Sequence, residues 1–343
     1  MASSAEQIAS AARVLGPELS RTLTLHADEL VDSLATQLEL VAWDREQLVG
    51  QVQIRLADLH RTRPAVRHGP AVRVIERRTQ PLEAIDTVWG WLRRGRRVRL
   101  ELEPGACMGT AELMRGMISR LPMGALEVTT ELSDPRPAGH VEGGVDPPGP
   151  RIAVLDADAD RELAAYVLAR TALRRSGMDP RAVKQVYAAG ELELLERHMR
   201  RLWVGVSIGP AEDHRSFAGP VSPSVRDRFL VSYDLWRRHP DVRVWCPGGV
   251  LERTGDPAHY LAPGLFVVSW PAPEIPTVGP IVVVVACQGD AQLHEAAQQA
   301  QAQHGQVVQI GGRPGRMPGA VRHVRGALLV ERLPPGLPEP RPV

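Results

Sequence analysis

The sequence predicts an α/β protein, in which strands and helices alternate along the chain. Between residues 71 and 132, three short strand-like runs are separated by two runs with helical spacing of apolar residues. A similar alternation resumes at residue 151 and continues to about residue 310. Residues 281–285 are five consecutive apolar residues, which is typical of a strand buried on both faces of a parallel sheet.

The first part of the chain predicts a helical segment followed by a parallel sheet. Residues 5–62 place apolar side chains at helical spacing in two successive stretches. Strand-like runs follow at 71–76, 96–103 and 125–132, with helices predicted at 81–95 and 109–122. Residues 133–150 are rich in proline and glycine, so they predict a linker.

The second part predicts further strands and helices. Its first run predicts a strand, an aspartate-rich helix start and a helix within residues 151–177. Strands are then predicted at 184–190, 242–249, 264–270 and 280–287, and helices at 191–205, 222–240 and 290–305. A late strand at 327–333 precedes a proline-rich end and is a candidate edge for assembly.

Composition excludes several classes of function. A net charge of +1 argues against a strongly basic nucleic-acid binder. There is no apolar run of about 18 residues for a membrane span and no secretory signal pattern. Three cysteines without metal-type spacing favour a reducing compartment, so a cytoplasmic protein is predicted. The run Arg93–Arg99 is interpreted as solvated cations at a helix end, with an anion-binding surface as the alternative.

Five collinear segments carry a family resemblance. VGVSIGPAEDHRSFAGPVSPSVRDRF is similar to VGDPLDPxTDxGPLxSxxxRDR, and VRVWCPGGVLE with HYLAPGLF is similar to VxxGGx with GYxxxPTxF. PTVGPIVVVVACQGD fits ExFGPV and its following strand, PRIAVLDADADRELA resembles SPxIVLDDADLDxAV, and VRLELEPGA resembles VVLKPSExT. The chain thus resembles the aldehyde dehydrogenase superfamily over roughly residues 70–310.

That resemblance implies a trimmed Rossmann-type cofactor domain and an α/β catalytic-type domain. The expected boundaries are a helical segment at 1–68, a remnant cofactor-type domain at 69–140, a catalytic-type domain at 141–312, and a strand with a proline-rich tail at 313–343. The family's strand, glycine turn and helix between VVT and ELGGK are expected to be missing, because only about 15 residues separate the matching VTT and GG.

The family's catalytic positions do not carry the family's chemistry. A cysteine thiolate attacks the aldehyde in the family, but the matching position is Pro180. The oxyanion-binding asparagine is matched by Thr79, whose hydroxyl could donate a hydrogen bond but alone implies little. The general-base glutamate has Glu142 as its nearest candidate, one place out of register.

The cofactor positions are also changed. The lysine that contacts the cofactor ribose in the family is matched by Glu103, and the glutamate that holds the nicotinamide ribose is matched by Pro276. No cofactor and no metal are therefore predicted; NAD or NADP would be expected only if a divergent site were active.

The sequence hence predicts a catalytically inactive, dehydrogenase-like scaffold, assembly or regulatory partner that forms homo- or hetero-oligomers. The alternatives are a divergent NAD(P)-dependent aldehyde oxidoreductase and a non-redox binder of a small ligand in an interdomain cleft. Binding to a membrane or to nucleic acid is not expected.

Overall fold

The computed structural model describes residues 4–133, 139–143, 151–180, 182–253, 255–304, 307–310 and 322–324. The chain divides into two compact units, Met1–Asp146 and Pro147–Val343. The predicted helical segment 1–68 does not stand apart, because it belongs to the first unit together with the sheet that follows it. No helix of the described residues is long and apolar enough to cross a membrane.

The first unit consists of a helical layer and a parallel sheet. Its helices are α1 (Ala5–Val14), α2 (Gly16–Leu25), α3 (Ala27–Leu38), α4 (Ala42–Arg61), α5 (Glu83–Arg93) and α6 (Met108–Ile118). Its strands are β1 (Ala71–Glu76), β2 (Val98–Leu102), β3 (Leu126–Thr129) and β4 (His140–Glu142). The first helix begins with a capping box in which Ser4 and Gln7 exchange side-chain and backbone hydrogen bonds.

One apolar core joins the helices of this unit to a single face of the sheet. Side chains from α1–α6 pack with the alternate strand residues Val72, Val74, Val98 and Leu100. Arg93 was predicted to be a solvated cation, and this prediction is wrong. Its side chain is buried and donates hydrogen bonds to the carbonyl oxygens of Leu59 and Thr62 at the end of α4. Carbonyls at a helix end lack partners within the helix, which explains why a buried guanidinium is accommodated there.

The first sheet has the strand order β3-β2-β1-β4, and its pairs are parallel. This is the order of the first four strands of a Rossmann-type fold, in which the fourth strand lies beside the first. The prediction of a linker over 133–150 was wrong at β4, which pairs with β1 from Ala71 opposite His140 to Arg73 opposite Glu142. The predicted domain boundary after residue 140 would divide this strand. The family's strand between VVT and ELGGK was also expected to be missing, but β4 lies between the matching VTT and GG.

The second unit contains a larger sheet with helices on both faces. Its helices are α7 (Arg161–Ala172), α8 (Leu192–Val204), α9 (Pro223–Arg238) and α10 (Asp290–His304). Its strands are β5 (Arg151–Leu155), β6 (Val183–Ala189), β7 (Arg243–Cys246), β8 (Gly249–Arg253), β9 (Asp256–Ala262), β10 (Gly264–Ser269), β11 (Ile281–Cys287), β12 (Val307–Ile310) and β13 (Arg322–Val324).

The order of the larger sheet is β13-β12-β5-β6-β11-β10-β7, with β7 antiparallel to β10. The prediction for residues 281–285 is confirmed, because these five residues of β11 are fully buried between the parallel strands β6 and β10. The hairpin of β8 and β9 was not predicted. The predicted strand at 327–333 and most of the predicted segment 313–343 lie outside the described residues.

Candidate functional site

Pro180, which the resemblance matches to the family's nucleophile, follows a tight turn between α7 and β6. Three consecutive residues of this turn, Arg175, Ser176 and Gly177, have φ angles of 50°, 53° and 73°. The left-handed region costs a non-glycine residue about 1–3 kcal/mol, so it persists only where surrounding groups fix the backbone. The turn is therefore held in a defined conformation by its neighbours.

Hydrogen bonds supply that restraint. The Ser176 hydroxyl donates to the carbonyl oxygen of Gly219 over 2.8 Å, and Lys184 Nζ donates to the carbonyl oxygen of Gly177 over 2.6 Å. Because the Ser176 hydroxyl is directed at a carbonyl oxygen and is buried, it is not a replacement for the thiol that Pro180 lacks.

The loop that contains Pro276 lies against the same turn. The carbonyl oxygen of Pro276 accepts a 2.7 Å hydrogen bond from Ser232 Oγ on α9, and the Val278 N–H donates to that hydroxyl over 3.2 Å. Lys184 Nζ also donates to the carbonyl oxygen of Gly279. Pro180 and Pro276, which the resemblance matches to the family's nucleophile and ribose-binding glutamate, thus lie in adjoining loops, and neither has an ionisable side chain.

The contact between the two loops depends on glycine. A Cβ atom added to Gly177 would collide with the backbone of Gly279 and Pro280, and its φ of 73° is unfavourable for any side chain. We expect Gly177→Ala to lower the unfolding free energy by about 2–4 kcal/mol, measured by chemical denaturation. Gly116→Ala is the matched control, because a Cβ there meets nothing within 4 Å and the residue is helical. An alanine tolerated equally at both positions would contradict the observed contact.

The three cysteines are buried and do not form a thiolate site. Burial raises the pKa of Cys287 to about 11 and also raises the pKa values of Cys107 and Cys246. A nucleophilic or redox-active cysteine requires the opposite shift, toward a lower pKa. All three cysteines are therefore in the environment of core residues rather than of nucleophiles.

Thr79 and Glu103 follow the carboxyl ends of neighbouring strands in the first unit. Thr79 is exposed after β1, while Glu103 is half-buried after β2. The Glu103 N–H donates to the carbonyl oxygen of Glu76 over 3.0 Å, and its carboxylate accepts from the Arg78 N–H over 2.9 Å. Glu103 therefore fixes the segment that contains Thr79.

A buried carboxyl group occupies the start of α5. Glu76 is fully buried at the end of β1 and accepts hydrogen bonds from the N–H groups of Leu82 (2.6 Å) and Ala84 (3.2 Å) and from the Thr110 hydroxyl (3.0 Å). Burial raises its pKa to about 8, and these donors offset only part of that effect. Helix N-termini beyond the strand ends are where Rossmann-type folds bind phosphate, but here the chain's own side chain occupies this position.

Glu142, the nearest candidate for a general base, belongs to an ion-pair network on the second face of the first sheet. It pairs with Arg73 at 3.0 Å, and Arg73 also pairs with Glu101 at 2.9 Å. Arg99 pairs with Glu101 at 2.7 Å and with Glu127 at 2.7 Å. Glu142 is thus engaged with a guanidinium in this arrangement.

The network also fixes the chain beyond β3. The Ser133 N–H donates to the Glu101 carboxylate over 2.8 Å, and its carbonyl oxygen accepts from Arg73 over 2.6 Å. Burial alone would raise the pKa of Glu101, but the Ser133 N–H and the two guanidiniums outweigh it and lower the pKa to about 2. Residues 130–139 alone connect β3 to β4, which is shorter than the crossover of about a dozen residues or more that usually contains a helix.

Sequence reasoning did not identify Glu76, Arg73 and Glu101. The available signal was a charged residue within a strand that is otherwise apolar or alternating. A charged residue at such a position is buried only where it has a partner, so it indicates a paired group. Lys184 stood out only as the single lysine. Within the described ranges, no group of three or more histidine, cysteine, aspartate or glutamate residues is placed to hold a metal ion.

The comparisons with known proteins identify the fold. No family's sequence profile matches the chain. No curated protein matches it either. Among solved structures, it is similar to an NAD-dependent benzaldehyde dehydrogenase from Corynebacterium glutamicum, with 15% identity, a TM-score of 0.73, and coverage of 92% of this chain and 81% of that one.

Two further structures agree. An NAD-dependent aldehyde dehydrogenase from Sinorhizobium meliloti shows 17% identity and a TM-score of 0.68, covering 94% of this chain and 79% of that one. Aldehyde dehydrogenase C from Pseudomonas syringae, a mutant solved with NAD+ and octanal, shows 14% identity and a TM-score of 0.68, covering 94% and 81%. The chain therefore has the aldehyde dehydrogenase fold.

Proposed function

We propose that this protein is a catalytically inactive member of the aldehyde dehydrogenase superfamily that acts through association with other protein chains. The observation that carries the proposal is the turn before Pro180. It retains a restrained, buried conformation, but the nucleophile position has no thiol, and the nearby Ser176 hydroxyl is bonded to a carbonyl oxygen. Without a covalent thioester intermediate, the family's reaction has no route.

The cofactor positions support the same proposal. The solved neighbours from Corynebacterium and Sinorhizobium are named as NAD-dependent. In this chain the connection from β3 to β4 is short for a helix-containing crossover, and Glu76 occupies the start of α5. Glu103 adds a negative charge where the family has a lysine, which disfavours a phosphate-bearing ligand.

An exposed apolar surface on α9 supports a role in association with other protein chains. Leu230, Val231 and Leu235 are 40%, 65% and 48% exposed on one side of this helix. Adjacent exposed apolar side chains on a helix are a recurrent feature of protein interfaces. We infer that this surface, α9's apolar face, contributes to homo- or hetero-oligomers.

A cofactor-binding assay tests the proposal. The melting temperature of the purified chain is expected to stay unchanged with NAD or NADP at millimolar concentration, whereas an active aldehyde dehydrogenase in parallel is stabilised. Pro180→Cys is expected to restore a thiol but no aldehyde oxidation, because the cofactor positions are altered as well. A shift with either cofactor would instead favour the divergent oxidoreductase.

Mass measurement in solution tests the association part. We expect the unmodified chain to form an oligomer and Val231→Glu to weaken it, because a carboxylate would be buried in the interface. Arg197→Glu, at an exposed position of α8, is the control for an added negative charge on a different helix. A monomer at micromolar concentration with no partner retained would contradict association.

A further inference from the structure

The single lysine of the chain joins the two loops that correspond to the family's catalytic and ribose-binding segments. Lys184 lies near the start of β6 and is almost completely buried. Its Nζ donates to the carbonyl oxygen of Gly177 and to that of Gly279, which are 102 positions apart along the sequence. An ammonium group has three donors and no acceptor, so two convergent carbonyl oxygens are suitable partners.

The two loops also meet through their backbones. Gly177 and Gly279 have φ angles of 73° and 69°, and a Cβ on Gly177 would collide with the backbone of residues 279 and 280. Such close approach leaves no space for a ligand group between these two glycines. Lys184, on β6, donates hydrogen bonds to both sides of this contact.

We propose that Lys184 acts as a latch that keeps the turn at residues 174–177 closed against residues 276–280, so that this site opens only when the latch is broken. Among the described residues of this segment, the other charged groups are Arg174, Arg175 and Asp179, with the Asp179 carboxylate 3.9 Å and 3.7 Å from the two guanidiniums. These pairs lie within one segment and therefore do not join the two loops. The latch goes beyond the absence of catalysis, because it describes how the two loops are held together whether or not turnover occurs.

The electrostatic environment supports a latch that can be released. Burial lowers the pKa of Lys184 to about 7, and the negative charge of Asp179 offsets part of that effect. On the opposite side, α9 holds the segment 276–278, because the Ser232 hydroxyl bonds the Pro276 carbonyl and the Val278 N–H and Trp236 Nε1 donates to the Thr277 hydroxyl over 3.3 Å. Loss of the Ser232 hydroxyl would remove two of these hydrogen bonds, so the second loop would open more often and expose the amine more often.

Amine acylation provides a site-specific test, because Lys184 is the only lysine side chain. The native full-length chain would be treated with an acetylating N-hydroxysuccinimide ester at pH 8, and Lys184 would be followed by peptide mass spectrometry. We expect its modification to be at least about 100-fold slower than in denaturant, since reaction requires local opening. An added lysine-containing peptide controls for reagent consumption. A native rate within tenfold of the denatured rate would overturn the latch.

Two variants, with a serine variant as control, separate the latch from general stability. Ser232→Ala is expected to raise the acylation rate of Lys184 by about tenfold or more, while Ser224→Ala, an exposed serine on the same helix, leaves it unchanged. Lys184→Met is expected to raise hydrogen exchange in residues 173–180 and 276–280 together, with β10 and β11 still protected. Equal acylation in the two serine variants, or exchange that rises in only one of the loops, would show that Lys184 does not couple them.

Discussion

Arg73→Met is expected to destabilise the first unit by about 3–5 kcal/mol, the usual cost of removing one member of a buried ion pair. Glu101 is fully buried, and Arg73 supplies two of its hydrogen bonds, from Nε at 3.0 Å and Nη2 at 2.9 Å. Arg99 and the Ser133 N–H remain in the variant, but they do not replace the lost guanidinium. Hydrogen exchange in β1 and β2 reports on this unit directly, and chemical denaturation gives the free energy.

Two controls define the result. Arg238→Met removes an ion pair with Asp234 in which both side chains are largely exposed, so a loss of no more than about 1 kcal/mol is expected. The double variant Arg73→Met/Glu101→Leu removes both buried charges and is expected to recover most of the lost stability. If the single variant is as stable as the Arg238 control, the network does not stabilise the second face of the sheet.

The strand pattern of this sheet was predictable, but its ion-pair network was not. Alternation in residues 96–103 predicts a strand with one polar face. Arg73 and Glu101 are 28 positions apart and Arg73 and Glu142 are 69 apart, so their contact depends on strand order and register. Register is set by tertiary packing, which no local pattern specifies. A charged face could therefore be assigned to solvent from the sequence, but not recognised as a network fixed by Ser133.

The short strand β4 illustrates a second limit. Its three residues lie in a proline- and glycine-rich stretch, for which local composition favours a linker. Pairing with β1 overrides that preference, and Gly143 permits the close approach because a Cβ there would collide with Val72. The hairpin of β8 and β9 was missed for a related reason, since it contains Pro257 and begins at the second of two glycines.

Only those residues of the candidate site that could be matched to the family's motifs were predictable from the sequence. Pro180 and Pro276 could be named from the resemblance, and the structure places them in adjoining loops of one unit. Lys184 could not be assigned to that site, because its two acceptors are backbone carbonyl groups. Every residue has a backbone carbonyl group, so the sequence does not indicate which of them a side chain will contact. Such contacts can be identified only from the structure.

The first unit is expected to lose stability as the pH rises, and Glu76→Gln is expected to abolish that loss. The pKa of Glu76 is raised from its ordinary 4.5 to about 8, so the folded state binds more protons than the unfolded state between these values. The stabilisation is therefore complete below pH 4.5 and is lost as the pH rises through 8. One pKa unit corresponds to about 1.4 kcal/mol, which makes the total effect on the order of 4–5 kcal/mol.

The comparison of variants isolates this group from others that titrate nearby. Burial lowers the pKa of His60, which gives the opposite dependence, with stability lost as the pH falls through the lowered value. His60 is present in both proteins, so it cancels when the unfolding free energies of the wild type and Glu76→Gln are subtracted at each pH from 5 to 9. Glu112→Gln, an exposed change on α6, is expected to leave the wild-type slope intact. If Glu76→Gln retains that slope as well, the buried carboxyl group is ionised throughout, and the donors from Leu82, Ala84 and Thr110 outweigh its burial.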